Sequence, residues 1–355
     1  MGLTKEQIKI RRNLVTASRL PAILGKSEYA APIDVYTELV YGKEDAAPNT
    51  AMRGGSRHET AILEEFAEQM ECKLTIPKNG AYSDGRKATF VYPEKLPITP
   101  LERFSVTPEN KDTENDALSN AVASQAGKTG IVTKENTDFW FGGTPDATIR
   151  KDSQYLREVF GLERSAAGAI VQAKCVGSRK ADQWGESQFG EPPESVILQV
   201  RGEIILAKAE LKTDINFGFV VALIGEPTLG DYRFYCVRLD AETEQYLLDT
   251  AREFWYLVQR RDVTALSPEG NWRPYFSHEY PKQKIEVVKD DDGSFAVLWK
   301  ELRRIMEDLA QLESAQTGLE TTIKLKMRDA GLVYGDPALG KNGTLFSWKA
   351  NRDSS

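Results

Sequence analysis

The stretch IVQAKCV, residues 170–176, follows shortly after the phrase GGTPDATIRK, residues 142–151. Both are short, contain β-branched residues and are bounded by glycine or polar residues, which is typical of strands. Side chains alternate along a strand, so Gln172 and Lys174 are expected to point to the same face. Asp146 is expected to open the neighbouring strand. The two stretches therefore predict a sheet that presents polar side chains from adjacent strands at one point.

These polar groups suit a hard divalent cation. The carboxylate of Asp146, the amide oxygen of Gln172 and the backbone carbonyl of Ala173 are donors that Mg²⁺ and Mn²⁺ prefer. Lys174 would then orient or deprotonate an attacking water, and Glu59, on a predicted amphipathic helix, would complete the set of ligands. The pattern is short, and it leaves open the alternative of a chance match with a solvated lysine at a strand edge.

Composition favours a folded protein of a reducing compartment. The chain has 355 residues, 41% hydrophobic and 28% charged, which is enough for one large domain with an appendage or for two domains. Its three cysteines form no CxxC pair, which argues against a disulfide framework or a structural zinc site. The first residues lack the apolar segment of a secretory signal, and the longest apolar run, 217–225, is too short to span a bilayer. These features predict a cytoplasmic protein.

The formal net charge of −7 does not by itself favour a nucleic-acid ligand. Positive charge is nevertheless concentrated at the start, where residues 1–30 hold six basic residues and two acidic ones. DNA enzymes often place basic residues along the path of the strand, while metal-binding carboxylates make the total negative. The total charge is therefore compatible with either a DNA-binding or another role.

Periodicity and turn residues place the other elements. The predicted helices are 32–42, 55–73, 195–211, 240–261 and 295–329, and the predicted strands include a pair at 216–225 and 231–239 and one strand of a terminal hairpin. Residues 84–136 are rich in proline and polar residues and are predicted to be an insertion. The expected organisation is a main domain of residues 1–265 and a C-terminal extension of residues 266–355.

The long C-terminal helix carries apolar residues at alternating steps of four and three, which is the spacing of a coiled coil. They are Leu298, Leu302, Ile305, Leu309 and Leu312, and Gln316 then interrupts the series. Self-association and packing within the chain are both compatible with this pattern.

Five motifs, in order, resemble the YqaJ-type viral recombinase nucleases, which are relatives of phage lambda exonuclease. VTASRLPAILGKSEYAAPIDVYTELVYGK is similar to the opening of that family, and MRGGSRHETAILEEF is similar to its helix with a glutamate. GGTPDATI and VQAKC are similar to its Pro-Asp and Glu-x-Lys strands, and PPESVILQVRGEIIL to its segment with a glutamine. The resemblance covers about residues 10–261, apart from the insertion.

The resemblance implies an α/β fold with a PD-(D/E)XK, restriction-endonuclease-like core. Such a core has a central mixed sheet flanked by helices, here with an insertion and a C-terminal helical extension. The implied activity is that of a Mg²⁺- or Mn²⁺-dependent deoxyribonuclease, most simply a 5′-to-3′ exonuclease that prepares linear duplex DNA for recombination by strand annealing. A phage or prophage origin, a bacterial cytoplasmic location, a single-strand annealing partner and self-association are further expectations. The alternatives are a catalytically weakened module that binds DNA ends and an endonuclease of the same fold.

The resemblance also assigns roles to residues of the centre. Asp146 would be the main metal ligand, Lys174 would activate water, Ala173 would offer its carbonyl and Glu59 would be the acid from a helix. Gln199 matches a glutamine near the site, although a purely structural role remains open for it.

A 5′-phosphate site is implied by the same resemblance. Ser18 and one of Arg11 or Arg12 match the residues that hold this phosphate, and Arg19 is a further candidate. Arginine suits the role because its guanidinium binds phosphate through two hydrogen bonds. For Ser18, capping of a helix is the alternative.

Gln172 departs from the family, which has glutamate at this position. The amide keeps the shape and one oxygen donor but loses a full negative charge, so affinity for a divalent cation is expected to fall. A natural active variant and a replacement of an original glutamate are both compatible with the sequence.

Three aromatic residues lie near the predicted site in the sequence, namely Trp140, Phe141 and Trp184. Stacking on bases and ordinary core packing are the two alternatives for them.

Overall fold

A computed structural model describes residues 14–42, 50–78, 81–82, 87–94, 140–187, 190–225, 230–281, 291–327, 332–334 and 344–347. Contacts divide the chain into two compact units, Met1–Pro281 and Lys282–Ser355. Most of the predicted insertion, and both Arg11 and Arg12, lie outside the described residues.

The strands are β1 (Val15–Thr16), β2 (Lys73–Thr75), β3 (Phe90–Val91), β4 (Phe141–Gly143), β5 (Ala147–Lys151), β6 (Ile170–Val176), β7 (Phe217–Ile224), β8 (Asp231–Arg238), β9 (Leu332–Tyr334) and β10 (Thr344–Ser347). The helices are α1 (Leu20–Ile23), α2 (Pro32–Tyr41), α3 (Thr50–Gln69), α4 (Gln154–Val159), α5 (Glu194–Leu211), α6 (Ala241–Arg260), α7 (Arg273–Glu279) and α8 (Ser294–Met327). Two 3-10 turns, Ala17–Arg19 and Ser178–Gln183, follow β1 and β6.

The central sheet has five strands in the order β2-β5-β6-β7-β8. Strands β6 and β7 run parallel, with Gln172 opposite Val220, and the other neighbours run antiparallel. Helix α5 connects the parallel pair, as a parallel connection requires. All eight residues of β7 are buried, which explains its continuous apolar sequence.

Hydrophobic clusters cover both faces of this sheet. One contains residues of α5 and α6 together with Ile170 and Val176 of β6. The other contains residues of α3 and α4 together with Val171 and Ala173 of the same strand. The expected α/β class, a mixed sheet flanked by helices, is confirmed.

A small second sheet, in the order β1-β4-β3, positions the N-terminal segment. Strand β1 pairs with β4 in parallel, and β3 pairs with β4 antiparallel, with Phe90 opposite Gly143. Glycine is needed at 142, because an added Cβ would lie 2.7 Å from Leu14 Cδ1 and 3.0 Å from the carbonyl oxygen of Phe90. Residues 87–94 were predicted to belong to the insertion, but they are part of the body.

The two described ends around residues 95–139 lie next to each other. Trp140 Nε1 donates to the carbonyl oxygen of Glu94 at 3.0 Å, and Arg252 Nη2 lies 3.0 Å from the carboxylate of Glu94. The guanidinium of Arg252 also lies over the Trp140 ring, 5.5 Å from its centre. Side chains of the body therefore hold both ends.

Residues 266–281 pack with the first unit. Tyr275 of α7 is buried, and its ring meets that of Tyr36 of α2 edge-on at 6.2 Å. The boundary between the units falls after Pro281 rather than after residue 265, because these aromatic contacts attach α7 to the body.

The second unit contains α8 and an antiparallel pair of β9 and β10. This pair contains the strand predicted near the C-terminus. The apolar series on α8 is exposed at each position from Leu298 to Leu312. Among the described helices, none is long and apolar enough to cross a membrane.

Candidate active site

Asp146 stands directly before β5 and joins this strand to β6. Its Oδ2 accepts hydrogen bonds from Gln172 Nε2 at 2.5 Å and from the backbone N–H of Ala173 at 2.9 Å. The pairing of β5 with β6 runs through Ala147 and Thr148 and does not extend to Ala173. The carboxylate therefore occupies the position beside β6 where the neighbouring strand has not yet begun.

Gln172 is buried, with 6% of its surface exposed, and only one of the two polar atoms of its amide has a hydrogen-bond partner among the described residues. Its nitrogen donates to Asp146, while its Oε1 is buried and has no hydrogen-bond partner among the described residues. A buried amide oxygen without a partner is costly. Such an oxygen next to a carboxylate fits a hard cation, so the residues present are compatible with the expected metal.

The charge of Asp146 is disfavoured in the folded chain. The pKa of this carboxyl is raised to about 6, mainly by burial and then by the nearby charge of Glu59, while Lys174 and the N–H of Ala173 act in the opposite direction. Glu59 lies on α3. A bound cation would offset the effects of burial and of Glu59, because it stabilises the charged form of the carboxylate.

Ala173 offers a further oxygen. In a strand the N–H and the C=O of one residue point to the same side, and the N–H of Ala173 points to Asp146. Its carbonyl is therefore directed to the same side of β6. The described residues contain no group of three His, Cys, Asp or Glu that could hold a metal, so amide and carbonyl oxygens are essential to the proposed set.

Lys174 is joined to the buried Glu203 by two consecutive hydrogen bonds through Gln199. Its Nζ donates to Gln199 Oε1 at 2.9 Å, and Gln199 Nε2 donates to Glu203 Oε1 at 2.9 Å. Gln199 and Glu203 lie four residues apart on α5 and so share one face of this helix. Lys174 is thus fixed from the helix that covers β6.

Sequence reasoning did not find Glu203. It is 2% exposed and stands in the apolar segment GEIILA. A charged residue is rarely buried without a partner, and this one lies one helical turn from a predicted site residue. That combination was the signal available in the sequence.

The candidates for the 5′-phosphate site lie on the turn Ala17–Arg19. Ser18 is exposed, and its Oγ lies 3.0 Å from Thr16 Oγ1. The N-cap residues of this turn and of α1 are Thr16 and Arg19, and neither forms a side-chain capping hydrogen bond. Arg19 donates to the carboxylate of Glu38 at 2.6 Å and to the carbonyl oxygen of Leu14 at 2.7 Å. Its guanidinium is therefore already engaged within the protein.

The turn and the lysine network are attached to the same helix. A Cβ added at Gly202 of α5 would lie 2.7 Å from Leu20 Cδ1 and 3.0 Å from Ala17 Cβ. Glycine at this position allows α5 to approach the turn closely. One helix therefore carries Gln199 and Glu203 and also supports the segment with Ser18.

The three aromatic residues are core residues. Trp140, Phe141 and Trp184 are all buried and belong to one hydrophobic cluster. Packing, the second alternative, is therefore the one that the structure supports.

Solved structures similar to this chain are exonucleases. An alkaline exonuclease (LHK-Exo) from Laribacter hongkongensis is 13% identical, with a TM-score of 0.41, over 73% of this chain and 94% of that chain. The same enzyme in complex with dAMP is 12% identical, with a TM-score of 0.42, over 78% and 98%. A phage related exonuclease from Haemophilus somnus 129PT is 10% identical, with a TM-score of 0.36, over 70% and 92%. These values are too low to support an assignment on their own.

The sequence itself matches a family model. No curated protein matches the chain significantly. The model of the YqaJ-like viral recombinase domain, however, matches residues 7–210, which is more than half of the chain and includes Asp146, Lys174 and Gln199. The resemblance found in the sequence is thereby confirmed. The chain belongs to the family of YqaJ-like viral recombinase domains.

Proposed function

We propose that this protein is a phage-type DNA exonuclease that degrades one strand of linear duplex DNA from the 5′ end. The observation that carries the proposal is the meeting of the Asp146 carboxylate, the buried oxygen of Gln172 and the ammonium of Lys174 on two neighbouring strands. Carboxylate and amide oxygens beside a lysine are the groups that metal-dependent cleavage of phosphodiesters needs. Membership in a recombinase family agrees with this activity.

The metal of the proposed centre is Mg²⁺ or Mn²⁺. Asp146, Gln172 through Oε1, Ala173 through its carbonyl and Glu59 would hold it. When bound, such an ion supplies a polarised water and stabilises charge on the phosphate. The raised pKa of Asp146 means that below about pH 6 a proton competes for this ligand.

Lys174 handles the water and the phosphate in this proposal. One N–H of its ammonium is bonded to Gln199, which leaves two further N–H groups to orient water or to bind a phosphate oxygen. The bond to Gln199 limits the movement of Nζ, so these two donors keep their direction.

Gln172 affects both the assembly of the centre and its affinity for a metal ion. Its amide nitrogen donates to Asp146, whereas a glutamate would place a second carboxylate at 2.5 Å from the first. The amide therefore avoids repulsion between like charges and keeps the site assembled without a cation. The same change weakens the hold on the metal, so the proposed enzyme requires a higher metal concentration than a glutamate variant.

The 5′-phosphate is proposed to bind at the turn Ala17–Arg19. Ser18 is exposed there, and Arg11 or Arg12 would supply the charge. Arg19 would contact a phosphate only after its ion pair with Glu38 is broken. We therefore propose that Arg19 stabilises the turn rather than binding the phosphate.

The proposal is tested by digestion of linear duplex DNA with 5′-phosphate ends, in Mg²⁺ and in Mn²⁺. We expect degradation from the 5′ end that Asp146→Ala abolishes, and a preference for 5′-phosphate over 5′-hydroxyl ends that Ser18→Ala reduces. Cutting of closed circular DNA would favour an endonuclease. Binding of DNA ends without cutting, by both this chain and Gln172→Glu, would favour the end-binding module. Cutting by Gln172→Glu alone would identify a weakened enzyme.

A single-strand annealing protein is the partner that the activity implies, since the remaining 3′ strand is its substrate. We place both proteins in the cytoplasm of a bacterial host, encoded by a phage or prophage. Addition of an annealing protein should convert partly digested duplexes that share an end sequence into joined products, and failure of joining would contradict the pairing of activities.

We further propose that α8 mediates self-association. Its exposed apolar residues recur in steps of four and three from Leu298 to Leu312 of the 34-residue helix. A helix with the same spacing is the partner that such a series fits. A second copy of this chain supplies one. Sedimentation should show an oligomer that Leu302→Lys with Leu309→Lys dissociates, whereas Ser314→Lys, on the opposite face, leaves it intact. A monomeric parent chain at concentrations on the order of tens of micromolar would contradict this assignment.

A further inference from the structure

Glu203 has no place among the proposed metal ligands or phosphate contacts, yet it is almost completely buried. A buried acid is retained only where its carboxyl group has a partner that needs it. One partner of this carboxyl group is the side-chain nitrogen of Gln199, 2.9 Å from Glu203 Oε1.

The contact with Glu203 acts together with the ammonium of Lys174 to fix which way the amide of Gln199 points. An amide has a donor end and an acceptor end of nearly the same shape, so its orientation depends on its neighbours. The carboxyl oxygen of Glu203 accepts, which directs the nitrogen of Gln199 inward and its oxygen towards Lys174. In the reverse orientation the amide nitrogen would face the ammonium, and neither group could accept.

We infer that Glu203 is a positioning residue, which acts through Gln199 to hold the Nζ of Lys174 towards the reacting phosphate. This role rests on the proposed nuclease function. The pathway consists of two hydrogen bonds, and α5 supplies both of the inner residues from one face. Glu203 itself does not touch the substrate.

The surroundings keep the carboxyl group in place. A Cβ added at Gly143 of β4 would lie 3.8 Å from Glu203 Cγ and 2.9 Å from Leu206 Cδ1, so β4 packs closely on this part of α5. Gly202, the residue before Glu203, packs closely against Ala17. The helix segment is thus held from two sides, and the position of Glu203 is set by backbone packing rather than by a mobile loop.

The experiment compares the full chain with Glu203→Gln, and with Glu210→Gln as the matched control. Glu210 lies on the same helix but is exposed. The amide introduced by Glu203→Gln keeps one acceptor but adds a donor and removes the charge, so the nitrogen of Gln199 is held less firmly and Lys174 alone favours its orientation. We expect kcat on 5′-phosphorylated linear duplex to fall by roughly ten- to a hundred-fold, as for other residues that orient a ligand, with KM changed less than about two-fold. The control should retain the parent values.

A reciprocal exchange separates positioning from general damage. In the double variant Gln199→Glu with Glu203→Gln, the carboxylate at position 199 can only accept, so Lys174 again meets an acceptor and the new amide at position 203 donates to that carboxylate. We expect this variant to recover activity relative to Glu203→Gln alone, which independent effects of the two changes would not produce. Further loss in the double variant would overturn the inference.

A second readout does not depend on cleavage. With ¹⁵N-labelled glutamine, the side-chain amide of residue 199 should give slowly exchanging proton signals in the parent chain and lose this protection in Glu203→Gln. If only the Gln172→Glu background cuts DNA, the kinetic series is measured there. Lack of cutting in every background contradicts the proposed function, whereas cutting with unchanged kcat in Glu203→Gln overturns the positioning role alone.

Discussion

Replacement of Asp146 by asparagine is expected to stabilise the metal-free protein. Asparagine keeps the size of the side chain and an oxygen that accepts from Gln172 and Ala173, but it removes the charge. The pKa of Asp146 is raised from 3.8 to about 6, mainly by burial and then by the charge of Glu59. The ionised carboxylate therefore costs folding free energy that asparagine does not.

The size and sign of this effect follow from linkage between folding and protonation. The folded chain binds the proton more tightly than the unfolded chain, so the parent protein loses stability as the pH rises from 3.8 through 6. A difference of about two pKa units corresponds to roughly 3 kcal/mol at pH 8 and to about half of that at pH 5. The stability advantage of the Asp146→Asn variant should therefore increase by roughly 1.5 kcal/mol between pH 5 and pH 8.

Urea unfolding in EDTA at pH 5, 6.5 and 8 measures this advantage directly. Asp182→Asn is the control, because Asp182 is exposed on the turn after β6 and its replacement should leave stability nearly unchanged. Mg²⁺ should reverse the order, since a bound cation stabilises the carboxylate of the parent chain only. Equal stability of the parent and Asp146→Asn at pH 8, or an advantage that does not shrink towards pH 5, would refute the electrostatic description of the site.

Three further predictions concern the same region. Gln172→Glu should lower stability in EDTA by about 1–3 kcal/mol, because it replaces a hydrogen bond by a like-charge contact; Mg²⁺ should raise its melting temperature more than that of the parent. Glu59→Gln should stabilise the metal-free chain at pH 8, though less than Asp146→Asn, since Glu59 contributes only part of the pKa shift; a loss of stability in urea unfolding would contradict this. Gly202→Ala should cost about 1–3 kcal/mol through overpacking against α1, whereas Gly318→Ala, with open space around it, should be neutral or stabilising in the same assay.

Elements with a clear local pattern could be predicted from the sequence. Strand β6 covers 170–176, the residues of the quoted stretch, because its apolar run is bounded by glycines. Helix α6 begins after Asp240, whose carboxylate accepts from the N–H of Thr243 as an N-cap should. In both cases the residues that define the ends are adjacent in the chain.

Elements that depend on distant partners could not be predicted. Strand β1 has only two residues, and it is a strand because Val15 pairs with Phe141, far away in the sequence. Helix α3 begins at Thr50, before the predicted start at 55, through a segment with two glycines and little periodicity. Tertiary contacts decide such cases, and they leave little trace in local composition.

The residues of the candidate site also differ in whether local sequence is enough to predict their contacts. Alternation along β6 was enough to place Gln172 and Lys174 on one face, and the bond from Lys174 to Gln199 agrees with that placement. Arg19, a candidate for the phosphate site, is paired with Glu38, and this contact joins two segments that the sequence does not bring together. Glu203 was missed because its importance depends on the orientation of a single amide.

The contacts around Glu94 and Trp140 have a consequence for how this chain can vary. Both residues are held by β3, β4 and Arg252, which all belong to the body, so residues 95–139 begin and finish at one place. A segment that leaves and re-enters a fold through neighbouring antiparallel strands can be shortened or exchanged for another sequence with little effect on the rest. At this position the segment can therefore be exchanged while the central sheet stays unchanged.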